Sequence, residues 1–493
     1  MGKRREYYLN QIICKTQRSK FESEKKREMN TAQAVQKKAA IERIVKETTS
    51  GTTRSAYDAA ERDKLLHEVE VVEAQGICFA RNKETYATLA KATRREIDAL
   101  RCEVSFSRFY AVIDFDSFYA SVAELENPSL RHIPMVVVDG TGKIIETSNY
   151  KAREWGIRAG LPVFVGRALC KRGLEFGMPR AHLTVVEHRS ERYNEVAEIS
   201  REIFRMYDKN MIPKSIDEAF LDLTDCLHER GMLTPDGAQT VTHEIRQRIL
   251  ERTGLTTSAG IANNVTLAKI CSSINKPNGQ FCCPFTHHGL SSFLSTLDVS
   301  KVGGVGTKLA PKLAALGVTT CGDVLTHACM IKHVFERKPA TVSMLFRVAV
   351  GLCKETDSME REHKDQSKAS KQETFTHATN DETEHVQLVE KLCGLLADSY
   401  FSKHKGAKSV QLTLTFSDFQ AVHETLSFKT PLVDGKELAR EATKIYKATY
   451  RKGAAVRHIG VSITLGNREA GQQSVMSFLE SVSQRPAALK RKR

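Results

Sequence analysis

Three carboxylates in two short segments are the residues of this chain whose type and setting best suit metal chemistry. Ala111-Val112-Ile113-Asp114-Phe115-Asp116-Ser117-Phe118-Tyr119 is an apolar run that ends in acid, and Ser215-Ile216-Asp217-Glu218-Ala219-Phe220-Leu221-Asp222 holds two adjacent acids. A carboxylate at the end of a buried strand is costly unless it meets a cation or several donors. Alone, Asp114 reads equally well as a cap on a helix beginning near Ser117. Asp217 and Glu218 would point to opposite faces of a regular strand and converge only if the chain turns there. Clustered, the three acids repel one another, and one or two divalent cations remove that repulsion. Hard oxygen donors with open positions favour Mg2+. Two such ions about 4 Å apart would stabilise the attacking and leaving oxygens of a phosphoryl transfer.

Other segments could handle phosphate. Tyr150 and Arg153 lie three apart, on one side of a short helix, and a guanidinium fork suits bidentate contact with phosphate oxygens. A packed aromatic and a surface charge are the plainer readings of the two. Backbone N–H groups of Phe118 and Tyr119 at a helix start would form a phosphate cradle. Val302-Gly303-Gly304-Val305-Gly306 is a glycine-rich turn between helical segments, able to approach a DNA backbone or simply to link helices. Lys403, Lys405, Lys408, Arg451, Lys452 and Arg457 make a late segment basic near its turns, suited to duplex phosphates or to water. Cys282-Cys283 with His287-His288 hints at zinc, but adjacent ligands on one backbone rarely close a tetrahedron.

The elements that must position these groups follow from composition and pattern. The 493 residues suffice for several domains, and 41% hydrophobic with 27% charged residues excludes a wholly disordered chain. No apolar run approaches the roughly 20 residues of a membrane-spanning helix, and the basic start MGKRREYYLN has no apolar segment behind it, against a secretory signal. The formal charge of +15 implies a polyanionic partner. The 12 scattered cysteines, without a C-x-x-C pair, read as reduced thiols. Residues 1–38 read as a flexible basic tail. Two long amphipathic helices are expected over 39–105, one carrying Ile41, Ile44 and Val45, the other Leu65, Leu66, Val69 and Val72, with a break near Gly51. Strands and helices interleave over 106–286 as in an α+β domain with one sheet covered on one face. A helical segment spans 287–353 and a tether 354–371, and a β-α-β-β-α-β unit fills 372–467.

The Asp114 segment, Thr147-Ser148-Asn149-Tyr150-Lys151-Ala152-Arg153, the Ser215–Asp222 segment, Ser258-Ala259-Gly260-Ile261-Ala262 and Asn275-Lys276-Pro277-Asn278-Gly279-Gln280 stand in one order. In that order and content, from about residue 39 to 479, the chain resembles the Y-family DNA polymerases, in particular the kappa group of their DinB branch. The resemblance implies an α+β right hand with an N-terminal helical clasp: palm 106–116 and 178–286, small fingers 117–177, helical thumb 287–353 with a helix-hairpin-helix, and little finger 372–467. It implies two Mg2+ ions, with Mn2+ able to substitute, held by Asp114, Asp217, Glu218 and the Phe115 backbone carbonyl. This last position is more often Met in relatives. The nucleotide would meet Phe118, Tyr119, Thr147, Tyr150, Arg153 and Lys276, with Tyr119 as the steric gate against a 2′-hydroxyl. DNA would meet Gly304, Gly306, Lys403, Lys405 and Lys408; relatives often have Pro at Gly303.

Ile41-Glu42-Arg43-Ile44-Val45-Lys46-Glu47-Thr48 is similar to the N-clasp of kappa members, and Gln472, Val475, Phe478 and Leu479 in the 468–493 tail fit a sliding-clamp peptide. The implied activity is low-fidelity translesion synthesis on primer-template DNA with dNTPs by a monomer without a membrane partner. Lys490–Arg493 points to the nucleus, and the basic N-terminus leaves the mitochondrion as the alternative. The rivals are a non-catalytic DNA- and clamp-binding scaffold, and a palm-type nucleotidyl cyclase or two-metal nuclease.

Overall fold

The computed structural model describes residues 33–353, 367–401 and 406–466. The tail before residue 33, most of the tether, Lys403, Lys405, the clamp peptide and Lys490–Arg493 lie outside the described residues. The described chain divides into two compact units, residues 33–51 with 58–353, and 52–57 with 367–466.

Where two N-terminal helices are expected there are three. Helix α1 (33–49) already includes residues assigned above to the tail, and it ends at a turn where Gly51 takes a φ of +78°. Beyond it, α2 (Thr53–Arg81) and α3 (Lys83–Cys102) are separated at Asn82, whose side chain accepts a hydrogen bond from Thr85 N and caps α3. Ile44 is fully buried in a cluster with Ile145, Trp155 and Ile157. Val72 and Ile97 join the core of the 290–350 helices. Leu66 does not share that face. It is 55% exposed, because Leu65, Val69 and Val72 follow the helical repeat and Leu66 lies about 100° around from Leu65.

Next come β1 (Tyr110–Phe115), α4 (Phe118–Glu126), β2 (Met135–Val138), β3 (Ile145–Ser148), α5 (Tyr150–Glu154), α6 (Val163–Lys171), β4 (Thr184–Glu187), α7 (Ser190–Arg205), β5 (Ile212–Pro213), β6 (Glu218–Asp222), α8 (Thr224–Glu229), α9 (Pro235–Thr253), β7 (Thr257–Ala262), α10 (Val265–Cys271) and β8 (Gln280–Cys282). The main sheet has the order β5-β6-β1-β7-β8, with β1 antiparallel to both neighbours and β7 parallel to β8. Alternation along β1 sends Ala111, Ile113 and Phe115 into a core shared with Tyr193, Val196 and Ile245 of α7 and α9. Val112 faces the other way, toward Ala268 and Cys271 of α10, so the sheet is covered on both faces rather than one. Asp114 shares the Val112 face at the strand's end. Close approach of α10 depends on Gly260, where a Cβ would lie 2.1 Å from Ala268 O and 2.2 Å from Ser272 N.

A second sheet has the order β3-β2-β4, with β4 parallel to β2. The boundary expected at residue 177 therefore falls inside this unit, since 184–187 completes its sheet. Val137 pairs with Thr147 and Val138 with Ile145, leaving Glu146 as the extra residue of a bulge.

Helices α11 (His287–Thr296), α12 (Ala310–Ala315), α13 (Cys321–Thr326), α14 (Ala328–Val334) and α15 (Pro339–Val350) follow. The Val302–Gly306 turn is preceded by a single 3-10 turn, Val299–Lys301, rather than directly by an α-helix, and Gly304 takes a φ of +102°. Acids of the N-terminal helices and the turn after them meet bases of this region: Glu61 with Lys308 at 3.0 Å, Glu68 with Lys312, Glu96 with Lys332, and Glu103 with Arg347 at 3.5 Å. Cys283 is buried, and the His287 ring packs edge-on to Phe106 at 5.0 Å.

In the second unit, β9 (Lys368–Thr379), α16 (Glu382–Tyr400), β10 (Ala407–Phe416), β11 (Ala421–Leu432), α17 (Gly435–Thr449) and β12 (Val456–Leu465) reproduce the expected order. The sheet runs β11-β10-β12-β9, antiparallel throughout. Val410, Leu412, Leu414 and Phe416 turn inward toward Leu388, Leu392 and Leu438 of the two helices. Residues 368–371, assigned above to the tether, are strand, paired with 461–464 of β12. Among the described residues no helix is long and apolar enough to cross a membrane.

Candidate active site

Asp114 at the end of β1 stands directly opposite Glu218, the first residue of β6. Asp217 lies in the bend before β6, and its carbonyl accepts from Phe115 N at 3.0 Å. The Asp217 carboxylate accepts from Ser215 Oγ at 2.6 Å. Between the other two acids stands a cation that the sequence reading did not single out. Lys269 of α10 donates to Asp114 Oδ2 at 2.7 Å and lies 2.9 Å from Glu218 Oε1, while Lys276 contacts the other Asp114 oxygen. Burial pushes the Glu218 carboxyl above its ordinary value; Lys269 opposes that shift, and the charges of Asp114 and Asp217 add to it. Burial would pull the Lys269 ammonium down, but Asp114 and Glu218 outweigh it and hold the group above its usual value. A signal for Lys269 was available. It is the one charged residue in α10, whose other six residues are all buried, so it needed a partner.

Asp116 is not part of this set. It is 2% exposed and accepts from Ser258 Oγ at 2.7 Å, Thr256 Oγ1 at 2.9 Å and Asn278 N at 2.7 Å, tying β1 to the segments around β7 and β8. Among the described residues no group of three or more His, Cys, Asp or Glu side chains closes on its own into a metal cage. The donor chemistry nevertheless fits a hard divalent cation. The facing groups are carboxylates, Glu218 Oε1 is buried without a well-directed hydrogen bond, and an ammonium already stands as the positive charge between Asp114 and Glu218.

Beside the acids, α5 is capped by Asn149, whose side chain accepts from Ala152 N at 2.8 Å. Tyr150 and Arg153 project together, as their spacing predicts: the guanidinium lies 4.5 Å from the Tyr150 ring centroid, and its Nε donates to Ser148 O at 3.2 Å. The hydroxyls of Tyr150 and of Ser117 are buried close to each other, and neither has a well-directed hydrogen-bond partner. Burial, with the nearby Asp116 charge, raises the Tyr150 phenol. Buried polar atoms left over in this way mark a place where a polar ligand would complete the bonding. Thr147 lies one strand residue beyond the Glu146 bulge. Phe118 opens α4 after Ser117, whose φ of +48° is left-handed.

Tyr119 is half-buried, its ring stacked on Tyr193 at 4.3 Å. Burial first, then the charges of Asp217 and Glu146, raise its phenol. Gly304 and Gly306 belong to the 302–306 turn, and Lys408 is exposed on β10.

Comparison with known proteins gives the family. Residues 113–273 match the impB/mucB/samB family and residues 367–475 that family's C-terminal domain. The chain is 30% identical over 448 residues to DNA polymerase kappa of Arabidopsis thaliana, covering 90% of this chain but 63% of that longer protein. It is 32% identical over 373 residues to DNA polymerase IV of Escherichia coli (strain K12), covering 74% of this chain and 98% of the relative. Among solved structures, the Y-family DNA polymerase chimera Dbh-Dpo4(243-245)-Dbh shares the fold with a TM-score of 0.59 at 23% identity, over 72% of this chain and 98% of that one. Facing acids on β1 and β6, orphaned hydroxyls beside them and these matches lead to one conclusion: the chain belongs to the DinB branch of the Y-family DNA polymerases and carries that family's DNA-directed DNA polymerase domain.

Proposed function

We propose that this protein is a Mg2+-dependent, template-directed DNA polymerase of low fidelity that inserts opposite, or extends past, damaged template bases. The observation that carries the reading is the meeting of Asp114 and Glu218 across β1 and β6, with Asp217 in the adjoining bend. Asp114, Asp217, Glu218 and the Phe115 carbonyl would hold the divalent ions. When bound, these supply activation of the primer 3′-hydroxyl and charge neutralisation on the triphosphate.

The chain's own residues do the rest. Tyr150, Arg153, Thr147 and Lys276 grip the β- and γ-phosphates, and the α4 N–H groups of Phe118 and Tyr119 add donors. The Tyr119 ring lies under the sugar and leaves no room for a 2′-hydroxyl. The 302–306 turn and the basic 403–408 segment hold the duplex through phosphates, so that binding weakens with salt. The 472–479 peptide takes a sliding clamp, and Lys490–Arg493 directs the protein to the nucleus, with the mitochondrion as the alternative that imaging of a tagged chain would reveal.

Primer extension on undamaged and lesion-bearing templates, comparing wild type with Asp217→Ala/Glu218→Ala, tests the assignment. The variant is expected to lose extension on both templates, and equal extension by the two proteins would overturn it.

A further inference from the structure

We propose that His188 and Glu146 form a lateral brace that sets where the Tyr119 ring stands, and through it how strongly the site rejects ribonucleotides. This deepens the reading above and rests on Tyr119 being the ring that meets the sugar.

Tyr119 is held from two directions. Its face stacks on Tyr193, a residue of α7 only 2% exposed, with ring centroids 4.3 Å apart and planes 24° apart. His188, just past the end of β4, stands edge-on to both rings, at 5.0 Å and 73° to Tyr119 and at 4.9 Å and 87° to Tyr193. Stacking alone allows a ring to slide across its partner; an edge-on third ring blocks that slide in one direction. His188 is itself pinned, because its Nδ1 lies 2.6 Å from Glu146 Oε2. Glu146 reaches it because of the bulge in β3, which gives this strand one residue more than β2 and re-aims a side chain next to Thr147. The brace thus joins two ends of the β3-β2-β4 sheet across a ring on α4. Nothing in the core requires a hydrogen-bonded couple here: the His188 and Glu146 side chains are 26% and 31% exposed.

These are positioning residues, and sugar selectivity is the quantity they should move. The experiment compares wild type, Tyr119→Ala, His188→Ala, Glu146→Ala, Glu146→Gln and Tyr119→Ala/His188→Ala, measuring kcat and KM for one dNTP and its rNTP on the same primer-template, with a melting curve for each variant. His188→Ala and Glu146→Ala should raise the ribo-to-deoxy ratio of kcat/KM by about three- to tenfold, the range that loss of one edge-on aromatic contact supports. The change should appear mainly as a lower KM for the rNTP. Glu146→Gln keeps an acceptor for the imidazole and should stay near wild type. His188→Ala should add nothing to Tyr119→Ala. If Tyr119→Ala relaxes selectivity but neither His188→Ala nor Glu146→Ala does, the brace is refuted while the gate stands. If Tyr119→Ala leaves selectivity intact, both are refuted. Should His188→Ala fail to fold, the Glu146→Ala and Glu146→Gln pair decides the question alone.

Discussion

Lys269 Nζ lies 2.9 Å from Glu218 Oε1, an ammonium set against a carboxylate that burial has already pushed toward its protonated form. The same ammonium donates to Asp114, so one lysine relieves the repulsion between two acids on neighbouring strands. Lys269→Ala should destabilise the metal-free protein by about 1–2 kcal/mol, less than a fully buried pair would cost because the lysine side chain remains 44% exposed. Millimolar Mg2+ should raise the melting temperature of the variant more than that of wild type, by taking over the missing charge. Calorimetry in EDTA and in Mg2+ checks this; equal metal responses would show that lysine and metal do not share a task.

Tyr150 offers a trade between stability and binding. Its hydroxyl is buried with no well-directed partner, only the Ser117 hydroxyl nearby, which costs up to about 1–3 kcal/mol of desolvation in the free protein. Tyr150→Phe should therefore leave the free protein as stable as wild type or up to about 1 kcal/mol more so. It should also raise the KM for dNTP by about five- to tenfold through loss of one hydrogen bond. Thermal melts and steady-state kinetics on one preparation read both effects.

The N-terminal helices and the turn after them meet the 290–350 region through the pairs named above, each with its acid on the N-terminal side. Lys312 is the least exposed of these bases, with 11% of its side chain open, and it faces Glu68. Lys312→Glu should cost about 2 kcal/mol by placing like charges together. Adding Glu68→Lys should recover at least half of the loss. A double-mutant cycle by denaturant unfolding, followed at low and high salt, measures the coupling and its screening.

Asp323 closes a capping box at the start of α13, accepting from Thr319 N at 2.9 Å and Thr320 N at 2.8 Å. Those backbone bonds lower its carboxyl from 3.8 to about 2. A depressed folded-state value means the stability it adds is present above the unfolded value and is lost as the pH falls through the folded one. Asp323→Ala should cost about 1 kcal/mol at pH 7, a small figure because the group is only partly buried. The gap to wild type should close between about pH 4 and pH 2, which melts across that window would show.

What could be read from the chain depended on whether chemistry and periodicity coincided. Asp114 was visible because a buried strand ended in charge, and Tyr150 with Arg153 because helical spacing puts them on one side. The order of elements in 367–466 followed from alternation in β10 and β12 and the apolar stripe of α16. Lys269 was hidden because a lysine on a short helix looks like a solvent-facing charge until the buried character of its neighbours is weighed. The Glu146 bulge had no local mark at all, since it arises from how β3 pairs with β2 rather than from either segment alone. Asn82 was overlooked as a helix boundary because apolar spacing continues past it, and only its side-chain cap reveals the break. The strand at Lys368–Lys371 was mistaken for tether because its lysines and serine lie on an edge strand, where charge is tolerated.

Gly260 carries no side chain, yet α10 rests on it backbone to backbone. A single methyl there would sit 2.1 Å from a carbonyl oxygen that ordinary contact keeps at 3.4 Å or more, and peptide groups cannot swing aside as a leucine tip can. The helix would have to retreat by over an ångström, and Lys269, the residue directly after Ala268, would retreat with it. Charge balance at the acids is therefore governed from the far end of a lever, by a hydrogen atom on a strand that no assay of surface electrostatics would ever probe.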